Sequence, residues 1–163
     1  MRYLLIFLIT FGILSISRFI PHPPNFTPLV MLSFYLPIYF GRNTIFLVII
    51  SLAITDLIIG FHTLLLFTWG SILIIGLISN YFKFSLITRL TGAVISVVIF
   101  SFITNVSSWL IFHGAQSDNL YNNFLAVLPF FVNNLMATLI FSAIFETVYK
   151  YYFFLINKKE KTK

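Results

Sequence analysis

Few residues of this chain could take part in chemistry. It contains three histidines, His22, His62 and His113, and four acidic residues, of which Asp56 lies within an apolar stretch. The histidines are far apart and form no local metal-binding motif, so we predict no metal site. A nucleophile elbow, a P-loop and a paired-carboxylate motif are also missing. The sequence therefore predicts neither an enzyme nor a cofactor, and an enzyme that uses Asp56 with a histidine is the least favoured interpretation.

Composition places these residues in a membrane protein. The 163 residues are 60% hydrophobic and 9% charged, with a mean hydropathy of +1.01, whereas a soluble domain carries about 25% charged residues. Apolar runs of about 20 residues are long enough to cross a bilayer. We expect one transmembrane domain, residues 1–163, of five or six helices. The absence of cysteine excludes disulfides and thiolate sites, and the spread of the +6 charge does not indicate nucleic-acid binding.

The apolar runs and the breaks between them predict six transmembrane helices. Their expected ranges are 3–20, 26–40, 44–59, 63–80, 90–112 and 123–155. The densest polar break, residues 18–28, contains four prolines, which cannot continue a helix. Its unpaired backbone carbonyls must lie at the membrane surface or line a protein cavity. We call residues 18–28 the proline segment.

The basic residues predict the orientation of this all-α bundle. With six alternating helices, nine of the ten fall on one side, and only Arg18 falls on the other. The positive-inside rule then places both termini in the cytoplasm. We expect a multi-pass protein of the bacterial cytoplasmic (inner) membrane, embedded in the lipid bilayer. On the inner side, Glu146 and Lys150 have the i,i+4 spacing of a local ion pair.

The outer side of this arrangement collects polar residues. Polar side chains within a bilayer usually face the bundle interior or a wet cavity, so we predict an outward-facing, aromatic-lined binding cavity. Its candidate residues are Arg18, His22, Asn25, Asp56, His62, Trp69, Asn105, Trp109 and Asn133. For Asn105 and Asn133, hydrogen bonding between helices is an equal alternative. Trp109 could equally belong to the interfacial aromatic belt.

The sequence allows several different roles for Asp56. A carboxylate about one turn inside the membrane needs a partner, and Arg18 is the candidate on the same side. The two could form a structural ion pair, or Asp56 could cap the start of the fourth helix. Alternatively, Asp56 binds a ligand or couples to protons.

Three short segments resemble a known family. They are residues 18–28 (RFIPHPPNFTP), 51–56 (SLAITD) and 60–62 (GFH). They resemble an uncharacterised bacterial membrane family with the signatures R-x-[IL]-P-H-P-P-N-F-T-P and S/T-D-x-x-x-G-F-H. That family is similar in size and six-helix plan to the S components of energy-coupling-factor vitamin transporters. The likeness in layout spans most of the chain, and its specific part is the two signatures.

The resemblance implies a function without chemistry. S components bind one water-soluble vitamin, or a metal ion, in an outward-facing cavity and dock to a coupling subunit with two ATPases. The residues that match the signatures are Arg18, His22, Asn25, Asp56 and His62. The first helix lacks the A-x-x-x-A pattern that S components use for docking, which disfavours docking to a standard module. The open alternatives are a protein that works alone, with such a coupling subunit and its ATPases, or with another membrane protein.

Two functions follow as expectations. The first is substrate binding for uptake of a vitamin or cofactor precursor, such as a corrinoid, a flavin or a thiamin precursor. The second is a structural or assembly subunit of a larger membrane protein complex, in which the polar groups pair with each other or with a partner chain. A vitamin-sized molecule that co-purifies with the protein would favour the first, and stoichiometric partner proteins would favour the second.

Overall fold

The computed structural model describes residues 1–112 and 120–160, and every regular element in these ranges is helical. The described chain forms six α-helices: α1 (Arg2–Phe19), α2 (Leu29–Phe40), α3 (Thr44–Ile59), α4 (Leu65–Ile78), α5 (Leu86–Phe112) and α6 (Leu120–Glu160). A 3₁₀ turn, Ser79–Phe82, follows α4. The all-helical prediction is therefore confirmed. The predicted outer loop that contains His113 lies outside the described residues.

The helix boundaries agree with the expected ones except where local turn chemistry extends or shortens a helix. The third helix has the predicted bounds, but α2 begins at Leu29 because the irregular proline segment runs further than expected. Within that segment Asn25 adopts φ 62°, a left-handed conformation that asparagine tolerates. The fifth helix begins four residues earlier than predicted. Ser85 and Thr88 exchange backbone-to-side-chain hydrogen bonds of 2.9 and 3.1 Å there, in a reciprocal cap.

Helix α2 is the centre of the bundle. Nine consecutive residues, from Leu29 to Pro37, are buried, and α2 packs against α3, α4, α5 and α6. A helix that is apolar all round is stable only when it is enclosed. With twelve residues it is about 18 Å long, which is shorter than a bilayer core. Because other helices surround it, its short length is not exposed to lipid.

A glycine lets α5 approach this central helix closely. A Cβ atom at Gly92 would lie 2.5 Å from Cζ of Phe34 and 2.6 Å from Cγ of Phe82. Any larger residue would therefore push these rings apart. At Gly12, in contrast, no atom lies within 4 Å of the position of a Cβ atom, so that glycine is not required by packing.

Polarity is distributed in the way that is typical of a membrane protein. Large apolar side chains such as Leu66, Ile87 and Leu57 are exposed, whereas many serine and threonine side chains are buried. Four helical stretches are long and apolar enough to cross a membrane: Arg2–Phe19, Leu65–Phe82, Leu86–Phe112 and Phe124–Tyr152. Helices α2 and α3 are apolar but shorter.

The helix connections lie at two ends of the bundle. At one end Asn133, more than three turns into α6, donates a 3.1 Å hydrogen bond to the carbonyl of Pro24 in the proline segment. We call this the proline end. At the opposite end Tyr39, at the end of α2, donates a 2.9 Å hydrogen bond to Glu146, late in α6. The two ion pairs of the described chain lie at these ends, Arg18–Asp56 at the proline end and Arg89–Glu146 at the opposite end.

Candidate ligand-binding cavity

A cavity of about 350 Å³ lies at the proline end. Small-molecule sites in proteins usually measure about 300–1,000 Å³. All six helices contribute to the wall, together with the proline segment and the loop before α4. Its polar side chains are Arg18, Asn25, Thr27, Asp56, His62, Thr68, Thr104, Asn105, Ser108 and Asn134. The apolar part includes Leu14, Leu52, Phe100 and Phe130.

Five of the predicted site residues line this cavity. They are Arg18, Asn25, Asp56, His62 and Asn105. They come from four separate parts of the sequence, which the bundle brings together. The prediction of a polar cavity at this end rested on these side chains needing a wet or protein environment.

The other four predicted residues, His22, Trp69, Trp109 and Asn133, do not form part of the wall. His22 is exposed, and its Nδ1 lies 2.8 Å from the carbonyl oxygen of Ile20. Asn133 bonds to the proline segment. Trp109 lies on α5 and is half-buried. Trp69 contacts the wall residue Asp56 with its indole nitrogen.

Several wall residues were not predicted. Asn134 lines the cavity although its neighbour Asn133 does not, because successive residues of a helix point about 100° apart. Thr104 and Ser108 share a face of α5 at i,i+4 spacing. This spacing can be read from the sequence and could have identified both residues as neighbours on one face of the helix. The aromatic part of the wall is Phe100 and Phe130 and not the two tryptophans.

An ion pair is the strongest polar feature of the cavity. Nη2 of Arg18 lies 2.6 Å from Oδ1 of Asp56, and their side chains are 19% and 1% exposed. Nη1 of Arg18 donates a 2.7 Å hydrogen bond to the hydroxyl of Thr55. Nε1 of Trp69 donates a 2.8 Å hydrogen bond to Oδ2 of Asp56. Oδ1 accepts no hydrogen bond of standard angle within the described chain, so its contact with Arg18 is a charge contact.

The helix ends explain why Asp56 depends on these partners. Both Arg18 and Asp56 lie in the last turn of a helix, where the macrodipole is negative. That location favours the guanidinium and disfavours the carboxylate. Arg18 and Trp69 offset this cost for a side chain that is almost fully buried.

The predicted helix-capping role of Asp56 is wrong. Helix α4 begins at Leu65, and no side chain caps its start. The Asp56 carboxylate is directed to Arg18 and Trp69 instead. The alternative of a pair with Arg18 is confirmed as a contact. Whether that pair also binds a ligand stays a prediction.

The two charges make the cavity close to neutral. Besides them, the wall offers amides from Asn25, Asn105 and Asn134 and several hydroxyls. Such groups donate and accept hydrogen bonds without a net charge. This arrangement suits a polar ligand that is neutral or zwitterionic. Within the described residues no three histidine or acidic side chains are grouped in a way that could hold a metal ion.

A second ion pair lies at the opposite end. Nε and Nη2 of Arg89 donate to the two carboxylate oxygens of Glu146, at 2.5 and 2.9 Å. The Tyr39 hydroxyl donates to the same carboxylate at 2.9 Å. The predicted pairing of Glu146 with Lys150 is therefore wrong, since Arg89 from α5 holds the carboxylate with a bidentate contact. This network joins α2, α5 and α6.

Fold and site together describe an all-helical membrane protein with a neutral polar cavity at one end. The chain belongs to a family of unknown function, DUF6580, and the match covers residues 1–160. No curated protein and no solved structure matches it.

Proposed function

We propose that this protein is a membrane-embedded substrate-binding protein, similar to S components, for uptake of a water-soluble vitamin or cofactor precursor. The observation that carries the proposal is the cavity of about 350 Å³ built around Arg18 and Asp56. Ionisable side chains in an apolar bundle are costly and mark binding sites more often than packing sites. A neutral, hydrogen-bonding cavity fits a water-soluble ligand.

The proposal includes an orientation. Six helices that alternate in direction, with both termini in the cytoplasm, place the proline end outside and the Arg89–Glu146 pair inside. The distribution of basic residues supports this orientation, because Arg2, Arg42 and Lys83 then lie at the inner face with the C-terminal lysines. The cavity would open to the outside of the bacterial cytoplasmic membrane, from which a nutrient arrives.

The size of the cavity limits which ligands can fit. Its volume of about 350 Å³ is near the lower end of the range for small-molecule sites. This favours a thiamin precursor or a flavin over a corrinoid, whose macrocycle is larger. Phe100 and Phe130 on the wall provide an apolar surface for a flat ring, while the amides and hydroxyls face its polar substituents.

Native mass spectrometry of the protein, purified from its own membranes in mild detergent, tests this function. A retained molecule of vitamin size would identify the substrate class. Its affinity is then measured for Thr104→Phe, which places a ring in the cavity wall. Thr91→Phe is the matched control, because Thr91 is exposed on the same helix and is not part of the wall. Binding that is equal in both variants would contradict a ligand in this cavity.

One observation favours a second function. Arg18 and Asp56 already neutralise each other, as expected for a structural or assembly subunit that binds no ligand. In that case the same mass spectrum shows partner proteins in fixed stoichiometry and no small molecule. A coupling subunit with two ATPases together with a small molecule would instead support a complete uptake system.

A further inference from the structure

A row of buried polar side chains crosses α6 from the cavity to the opposite end. Asn134, Thr138, Ser142 and Glu146 are four positions apart and are 3%, 0%, 0% and 5% exposed. Residues at this spacing lie one above the other on one face of a helix. From Asn134 to Glu146 the row rises about 18 Å. We call these four residues the polar row.

Both ends of the polar row meet sites already described. Asn134 lines the cavity at the proline end. The Thr138 hydroxyl lies 3.4 Å from Oδ1 of Asn134. At the other end Glu146 is held by Arg89 and Tyr39. The row therefore extends along α6 from the cavity to the inner ion pair.

The middle of the row contains hydroxyl groups with free hydrogen-bonding capacity. Tyr35 on α2 is 0% exposed, as is Ser142. The two hydroxyls are neighbours, yet neither makes a hydrogen bond of standard geometry within the described chain. Interior waters bind at buried polar groups of this kind. Bridging waters at these hydroxyls could connect Thr138, Ser142 and Tyr35 to the Tyr39–Glu146 hydrogen bond.

Packing alone does not require these residue types. Helix association in membranes needs small residues or a few polar contacts, and the Arg89–Glu146–Tyr39 network already joins α6 to α2 and α5. Four polar side chains at successive turns on a buried face of a mostly apolar helix are costly. Hydroxyls and water relay protons because each can accept one proton while it donates another, and a carboxylate can bind a proton and release it later.

We propose that the polar row carries protons between the cavity and Glu146. A proton enters from water in the cavity and passes along the hydroxyls of Thr138, Ser142 and Tyr35 with bridging water. It binds to the Glu146 carboxylate, which then loses its charge contact with Arg89. The same proton leaves Glu146 to water at the opposite end, and the ion pair forms again. No group other than these is changed by the cycle.

Proton influx into liposomes tests the proposal. The full chain is reconstituted with a pH-sensitive dye inside, and a potassium diffusion potential drives protons inward with no other solute present. We expect wild-type influx to exceed that of protein-free liposomes. Thr138→Val and Ser142→Ala should each lower the excess about tenfold, since each removes one relaying hydrogen bond. Because no ligand is added, the result does not depend on the proposed uptake function.

Two controls separate proton transfer from packing. Thr147→Val makes the same change on α6 as Thr138→Val, but Thr147 is exposed and lies outside the row, so its influx should equal that of wild type. Thr138→Ser keeps the hydroxyl and should restore influx. Wild-type influx no greater than that of protein-free liposomes would overturn the proposal. Equal influx in Thr138→Val, Ser142→Ala and Thr147→Val would overturn it as well.

Discussion

Removal of the negative charge of Asp56 should destabilise the protein more than any other change at the cavity. Asp56→Asn keeps the size of the side chain and an oxygen that can accept the hydrogen bond of Trp69, now 2.8 Å long. The change therefore removes mainly the charge. It leaves Arg18, whose Nη2 is 2.6 Å from Asp56 Oδ1, without a counter-charge.

The expected magnitude follows from the burial of the two side chains. Loss of one partner of a fully buried ion pair costs about 3–5 kcal/mol. The Arg18 side chain is 19% exposed and borders the cavity, where water can solvate it. We therefore expect a loss of about 2–3 kcal/mol in the free energy of unfolding. For a chain of this length, that corresponds to a fall in Tm of about 4–12 °C.

Thermal unfolding in detergent, combined with a double-mutant cycle, measures this effect. Arg18→Met removes the cation but keeps an apolar stem of similar length. The double variant Arg18→Met/Asp56→Asn should be more stable than the sum of the single changes predicts, because it leaves no lone charge. Trp69→Phe is the control at the same carboxylate, since it removes one hydrogen bond and no charge.

Two results would refute this reasoning. The first is a Tm for Asp56→Asn within about 1 °C of the wild-type value, which would mean that the uncompensated guanidinium costs almost nothing. The second is strict additivity of the two single changes, which would mean that Arg18 and Asp56 do not stabilise each other.

Three further predictions concern the rest of the bundle. Glu146→Gln removes the bidentate partner of an arginine that is 13% exposed and should lower the free energy of unfolding by about 2–3 kcal/mol; unchanged chemical denaturation would contradict this. Gly92→Ala should cost about 1–3 kcal/mol by overpacking against two phenylalanine rings, whereas Gly12→Ala, with open space around it, should be neutral or slightly stabilising in the same assay. Because the chain has no cysteine, Asn25→Cys and Asn43→Cys can be labelled singly in whole cells. An impermeant maleimide should react with the first and not with the second, and the reverse pattern would refute the proposed orientation.

Much of the site could be predicted from the sequence, because a charged side chain within an apolar stretch needs a partner of opposite charge. Asp56 within an apolar stretch required a counter-charge, and Arg18 was the cation predicted on the same side. Their 2.6 Å contact agrees with that prediction. The start of α5 was missed for a different reason. The reciprocal hydrogen bonds of Ser85 and Thr88 extend the helix by one turn, and a serine–threonine pair is a weaker start signal than serine followed by glutamate.

The sequence alone did not predict contacts between residues that are far apart in the chain. Glu146 has a lysine at i,i+4, but the structure gives it Arg89, 57 positions earlier in the chain. Spacing along one helix identifies a neighbour within that helix and says nothing about side chains on the next one. The preference for Arg89 has a physical cause, because a planar guanidinium binds both carboxylate oxygens and keeps its charge when buried.

The sequence by itself determined the class of this protein. Apolar runs of membrane length, interrupted by prolines, glycines and charges, are sufficient for an all-helical membrane protein and for most helix bounds. Only the tertiary structure decided that α2 is the enclosed helix and that Asn134, and not Asn133, reaches the cavity. It also decided that the polar row of α6 faces the interior of the bundle. The reason is that these helices are apolar on nearly every face. Without an amphipathic pattern, the direction in which each helix faces is set by its packing against the others.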